Sequence, residues 1–336
     1  MSFNLSCFSA LLIIGGANAI LQYQSKPLIT AENSKFGPFI EGTSVDREGN
    51  VYAVNYGNNS TLPTLGRVTP KQSLFYEDTQ TPGTAFNGIR FGIKESHHHH
   101  HHKVAYVADY INHRVVKVTV DSHGKTVGKT HCSNPKFIQP NDITLARNGR
   151  MYLSGMKFHQ NTQIGDGDIW VCAKEGKTKR LDVLGRTNGI ELSPNDKYLY
   201  VSEAIDRDSI TVSNKIWRYK VHKATGEISH KTLFFDFATV NTADLNIDGI
   251  RSDIRGNLFV VRHGGQEVLK ISPKGEILAS IKLSFTFPTN IELAGKHGTT
   301  LHIVGRCGIN TPDGEGVGCV DTWENDVPGR AWSLLQ

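Results

Sequence analysis

Six phrases in the chain open on an oxygen-bearing side chain and run straight into an apolar segment. They start at Glu41 (EGTSVDREGNVYAVNY), Asn87 (NGIRF), Asn141 (NDITLARNGRMYLSG), Asn188 (NGIELSPNDKYLYVSE), Asp248 (DGIRSDIRGNLFVVRH) and Asn290 (NIELAGKHGTTLHIVGR). Two carboxylates and four carboxamides, with no thiolate or imidazole among them, form a set of hard oxygen donors. Such a set selects a hard divalent cation, calcium before magnesium, because calcium accepts about 6–8 oxygens at ~2.3–2.6 Å in flexible geometry. Another divalent cation satisfies the same donors less well. A single Asn-Gly is an ordinary turn signal, but turn chemistry does not explain six openers in phase.

The elements that must position these side chains follow from their spacing. Successive openers stand 42 to 60 residues apart, and each phrase carries an apolar strand, a turn and a second apolar strand. A period of ~40–50 residues built from short strands matches one four-stranded propeller blade rather than a pair of solenoid helices. The turns Arg47-Glu48-Gly49-Asn50 and Arg255-Gly256-Asn257 supply the positive φ that a hairpin requires. Third strands are predicted at Arg114 to Val118 and Lys215 to Tyr219. The predicted fold is therefore all-β, a six-bladed β-propeller with a central metal channel. Its innermost strands would present all six openers to the axis at one height. Either Leu21-Gln22-Tyr23 or the apolar stretch Arg330 to Leu334 could supply the strand that closes the ring.

Composition bounds the setting. The 336 residues include 33 Gly and 12 Pro and show no long helical pattern, which agrees with many short strands and tight turns. Residues 1–19 carry no charge, hold the apolar run Phe8 to Ile14 and end in Ala17-Asn18-Ala19. This is the layout of a signal peptide, so residues 1–19 are expected to be removed and residues 20–336 to form one secreted domain. The apolar run is too short to span a bilayer of ~30 Å. With Cys7 in that leader, Cys132, Cys172, Cys307 and Cys319 remain, and four cysteines allow three pairings. The expected pairing joins Cys307 to Cys319 and Cys132 to Cys172, each pair within one repeat. Asn58-Asn59-Ser60 and Asn59-Ser60-Thr61 are overlapping glycosylation sequons. The formal charge of +5 is spread without a basic stripe, which argues against a nucleic-acid partner. The run His97 to His102 falls at a turn on the face away from the converging openers and reads as a solvated low-complexity tract.

Phe39-Ile40-Glu41-Gly42, Pro140-Asn141-Asp142, Asn188-Gly189-Ile190-Glu191-Leu192-Ser193-Pro194 with Leu199-Tyr200-Val201, and Asp248-Gly249 with Gly256-Asn257-Leu258 carry a resemblance. The chain resembles the senescence-marker/gluconolactonase family, which includes regucalcin and calcium-dependent lactonases and is similar in fold to squid-type phosphotriesterases. The resemblance covers about residues 36 to 335. It implies that Glu41, Asn188 and Asp248 bind the metal directly, that Asn141 is a fourth ligand or a contact through water, and that Asp248 is the general base. Two departures stand out. Sugar-lactonase members often carry Arg two residues before the Asn-Asp pair, where this chain has Gln139, which speaks against an aldonolactone-like specificity. The adjacent Asp-Asn pair of paraoxonase-type enzymes is also missing, since Gly249 follows Asp248. From the residues themselves, Asn87, Asn290, His113 and His263 are expected to contact substrate. The functional expectation is a secreted, monomeric, calcium-dependent hydrolase of lactones or esters. Phosphotriester hydrolysis and a non-catalytic calcium-stabilised binding propeller are the alternatives.

Overall fold

Each recurring phrase forms an inner strand and a second strand paired with it, and two further strands complete an antiparallel sheet. The computed structural model describes residues 20–57, 63–92, 103–121, 123–240, 246–308 and 316–336. The leader at 1–19, the sequons at Asn58 and Asn59 and the histidine run at 97–102 lie outside the described residues. The six innermost strands are Ser44–Val45, Phe86–Phe91, Pro140–Leu145, Arg186–Leu192, Ile247–Ser252 and Phe287–Ala294. They touch one another in that order and the last returns to the first, which closes a six-bladed propeller around one axis. The expected third strands are present within Arg114–Val120 and Ile210–Val221. Among the described residues no helix is long and apolar enough to cross a membrane.

The core lies between blades, where apolar side chains of one sheet face those of the next. Tyr52 and Leu65 of the first blade pack with Ile89, Phe91 and Val107 of the second. Phe259 and Val261 of the fifth pack with Ile291, Leu301 and Ile303 of the sixth. Alternation along each strand sends every second residue into one of these seams.

The ring is closed from the N-terminal side. Lys26–Ile29 pairs antiparallel with Val317–Glu324 as the outermost strand of the sixth blade, whereas Leu21–Gln24 adds a parallel fifth strand to Ile277–Lys282 of the fifth blade. The C-terminal stretch is not a strand but the short helix Arg330–Leu335. Its first residue is buried: Arg330 Nε donates to Ser193 O (3.1 Å) and Nη2 to Leu145 O (2.7 Å), plugging the channel at the far end of the inner strands.

Both expected disulfides form, Cys132–Cys172 and Cys307–Cys319. The expectation that each lies within one repeat is corrected for the first. Cys132 sits on the outermost strand of the second blade and Cys172 on the third strand of the next. It therefore staples neighbouring blades, because outer strands of adjacent sheets come together where sequence repeats do not.

Two local devices aim the openers at the axis. In five blades the register between inner and second strands slips at or beside the opener: between Phe86 and Ile89, Pro140 and Ile143, Thr187 and Ile190, Ile247 and Ile250, and Pro288 and Asn290. Such bulges re-aim side chains at the rim of a sheet. In addition, the glycine after the opener admits the next blade. A Cβ on Gly189 would overlap the Asp248 carbonyl oxygen, one on Gly88 would lie 2.5 Å from Asn141 O, and one on Gly249 would lie 2.7 Å from Asn290 Cγ. Overpacking of this kind costs about 1–3 kcal/mol. Gly189→Ala is therefore expected to lower the urea unfolding midpoint by that equivalent; an unchanged midpoint would show that the blades do not need this contact.

Candidate active site

Five bulged inner strands, and the segment that leads into Ser44–Val45, bring the six openers to one end of the channel. Glu41, Asn87 and Asn141 line a common cavity. Asn290 Nδ2 donates to Glu41 Oε2 (3.2 Å) across the junction of the last and first blades. The Asn188 side chain hydrogen-bonds Asp248, and the negative charges of Glu41 and Asp248 act on one another. Asn141, Asn188, Asp248 and Asn290 are all buried.

Two carboxylates drawn together in a dry place bind protons more tightly than in water. Burial pushes the Glu41 carboxyl up to about 7, against the lowering effect of hydrogen bonds from Asn290 and the Gly42 N–H. Asp248 is raised well above the ordinary carboxylate value, first by burial and then by the charges of Glu41 and Asp142; Asn188 and Arg186 act in the opposite sense. Arg186 is itself held by Asp206 (2.8 and 3.1 Å) and by Asn246 Oδ1 (2.9 Å).

The residues fit a hard cation. Asp248 Oδ1 and Asn87 Oδ1 are buried without a hydrogen-bond partner, which a native interior rarely tolerates unless an ion or water completes them. Among the described residues no three His, Cys, Asp or Glu side chains gather as a metal cluster. Here the oxygen set relies instead on two carboxylates with carboxamides between them. Glu41, Asn141, Asn188 and Asp248 could hold such an ion.

Beneath this ring the channel is filled by buried charge. Asp142 sits between Arg251 (2.9 Å) and Arg90 (3.4 Å), Arg251 also faces Glu292 (3.6 Å), and Glu191 meets Arg330 (3.4 Å) and the Thr144 hydroxyl (2.8 Å). Arg251 is 1% exposed and donates from Nη2 to Asn290 Oδ1 (2.7 Å). Since Asn290 Oδ1 also accepts from Ile291 N (2.9 Å), Asn290 fits a strut between Arg251 and Glu41 better than the substrate contact expected of it. Sequence reasoning did not find this network, although a signal exists. Where a bulge follows the opener, the third residue on, rather than the second, returns to the channel, and those positions are Arg90, Thr144, Glu191 and Arg251.

The two candidate histidines part company. His263 lies 3.7 Å from Asp248 Oδ2, and its Nδ1 donates to Pro288 O (3.0 Å), which leaves Nε2 as the acceptor of the neutral ring. His113 Nδ1 donates to Phe137 O (2.6 Å), tying it to the connection between the second and third blades and not to the cavity wall. The cavity has a volume of about 310 Å³ and is also bounded by Phe39, Asn55, Ala85, Phe86, Tyr110, Gln139 and Met156. A larger cavity of about 680 Å³ opens at the opposite end, beside Leu145 and the C-terminal helix.

The proton affinity of Glu41 sets a pH dependence. Its unfolded value is near 4.5 and its folded value about 7. Between them the folded state keeps a proton that the unfolded state has released, so stability falls as pH rises across that window. In metal-free protein the thermal midpoint is expected to drop from pH ~4.5 to pH ~7, and Glu41→Gln to flatten the slope; an equal slope in the variant would exclude Glu41 as its source.

Comparison with known proteins places this geometry. A family model described as the SMP-30/Gluconolactonase/LRE-like region matches residues 112–305. A gluconolactonase of Zymomonas mobilis is 29% identical over 211 residues, 59% of this chain and 56% of that protein, so the chain spans little more than half the length of this relative. Among solved structures, a luciferin-regenerating enzyme superposes with a TM-score of 0.70 at 18% identity, covering 91% of this chain and 96% of that one. Regucalcin of Agrobacterium tumefaciens, described as a calcium-binding protein, does so with a TM-score of 0.66 at 16% identity, covering 91% and 98%. At these identities the structures share the fold.

Proposed function

The chain belongs to the SMP-30/gluconolactonase/LRE-like family, and from that premise we propose that it is a lactone hydrolase whose channel holds one calcium ion through Glu41, Asn141, Asn188 and Asp248. The observation that carries the reading is Asp248: a buried carboxylate beside Glu41 with one oxygen lacking any partner, at the channel end where the cavity opens. A calcium-binding relative of the same fold supports the choice of ion.

Bound there, calcium supplies Lewis-acid polarisation of a carbonyl and charge to offset a developing oxyanion. The protein's own part is positional. Asn290, braced by Arg251, holds Glu41 in place. Asn188 orients Asp248 by a hydrogen bond. Asp248, as the carboxylate, takes a proton from the attacking water. His263, whose Nδ1 lies 3.7 Å from Asp248 Oδ2 while donating to Pro288 O, is placed to contact the leaving oxygen through Nε2. Asn87 lines the cavity beside the ligand Asn141 and supplies its carboxamide to the substrate. The charge-free leader with its Ala17-Asn18-Ala19 ending supports secretion, as do two disulfides, which persist in oxidising compartments.

Purified protein with calcium is to be assayed on lactones, aryl esters and phosphotriesters side by side. Lactone hydrolysis is expected, lost with chelator and restored by calcium but not by zinc. Turnover of phosphotriesters alone would transfer the chemistry to phosphoryl groups, and turnover of nothing in the panel would sink the hydrolase reading. Asp248→Asn is expected to lower kcat by about 10²–10⁴-fold, the usual contribution of a positioned base, with the fold retained by circular dichroism. Undiminished turnover in that variant would remove Asp248 from the mechanism.

A further inference from the structure

The cavity beside Glu41, Asn87 and Asn141 also has Asn55 and Gln139 on its lining, and its remaining side chains are mostly apolar. Phe39, Phe86, Tyr110 and Met156 supply its large apolar lining, Phe86 from a buried position. Phe39 is 51% exposed, and Tyr110 and Met156 are half-buried. Large apolar side chains left open beside a polar site mark a surface that a ligand covers. Methionine in particular adapts to irregular apolar shapes.

A polyhydroxylated ring would need the opposite. Each hydroxyl taken from water must find a donor or acceptor, because a buried polar group left unpaired costs more than the hydrogen bond it might have made. Among the described residues no lysine or arginine lines this cavity, and Gln139 stands two residues before Asn141 on its lining. The buried guanidinium near Asp248, Arg186, is engaged by Asp206 and Asn246.

We infer that the substrate is a lactone bearing an alkyl group, seated with its ring carbonyl over Glu41, Asn87 and Asn141 and its alkyl group against Phe39, Phe86, Tyr110 and Met156. This rests on the lactonase reading for the reaction but on the cavity wall for the substituent. A volume of about 310 Å³ accommodates a compact ring with a short chain. Each methylene removed from water is expected to raise kcat/KM about fourfold until the wall is covered, from the usual transfer free energy of a buried methylene.

The test compares three δ-lactones of one ring size: δ-valerolactone without substituent, δ-decalactone with a pentyl group, and glucono-δ-lactone with hydroxyls. The expected order of kcat/KM puts δ-decalactone first by at least about tenfold. Phe39→Ser, at an exposed position, and Met156→Gln should each raise KM for δ-decalactone and shrink its advantage over δ-valerolactone. Glucono-δ-lactone as the equal or better substrate would overturn the inference while leaving the hydrolase reading standing, as would a δ-decalactone advantage that neither variant alters. Should no lactone be hydrolysed, calorimetry with the non-hydrolysable piperidin-2-one and its 6-pentyl derivative separates the two ideas. Tighter binding of the pentyl compound, weakened by Met156→Gln, upholds the apolar wall without the hydrolase; equal binding, or none, overturns it.

Discussion

Two carboxylates buried on one axis are what the rest of this propeller is arranged around. Glu41 and Asp248 come from blades on different sides of the ring and share a desolvated space in which burial raises the proton affinity of both and the charge of Glu41 raises that of Asp248 further. Charge in such a place is stable only with compensation. Part of it is built in: Asn290 and the Gly42 N–H serve Glu41, and Asn188 serves Asp248. The remainder, the open oxygen of Asp248 and that of Asn87, is what a hard cation would complete.

The support runs the length of the channel. Arg90, Arg251 and Arg330 stand against Asp142, Glu191 and Glu292 below the site, with the C-terminal helix as the lower plug. Buried ion pairs of this kind contribute little to stability compared with apolar packing, but removing one member leaves the others uncompensated. Their value here is geometric. Through Arg251 and Asn290 the network reaches Glu41, so the upper carboxylate is held from beneath by a rigid polar core rather than by a loop. Burial is strong enough that Glu292 is pushed up to about 8 in spite of the opposing charge of Arg90.

The site is also lopsided. The cavity belongs to the first three blades, where Phe39, Phe86, Tyr110 and Met156 border it. Asn188, Asp248 and His263 come from the fourth and fifth. A substrate resting on the apolar side would therefore lie across the axis from the proposed base.

Much of this was legible in the linear chain. Period and opener type specify blades and an oxygen-lined channel, because every blade repeats the same local code of strand, turn and strand. Both disulfide pairs and the third strands were legible too. Other features were not, for reasons that lie in packing. The glycines after the openers read as turn residues, yet in the ring they admit the neighbouring blade. The bulges shift inner-strand periodicity from two to three, hiding the inward-facing Arg90, Glu191 and Arg251 from any alternation pattern. Ring closure by Lys26–Ile29 and the cross-blade bond of Cys132 depend on which strands become neighbours once the circle shuts. The chain alone thus determined the repeated unit and the chemistry of its opening residue, since both are local. Only the closed tertiary structure decided which openers share a cavity, which are braced from below and which wall is apolar, since these are contacts between segments that sequence separation keeps apart.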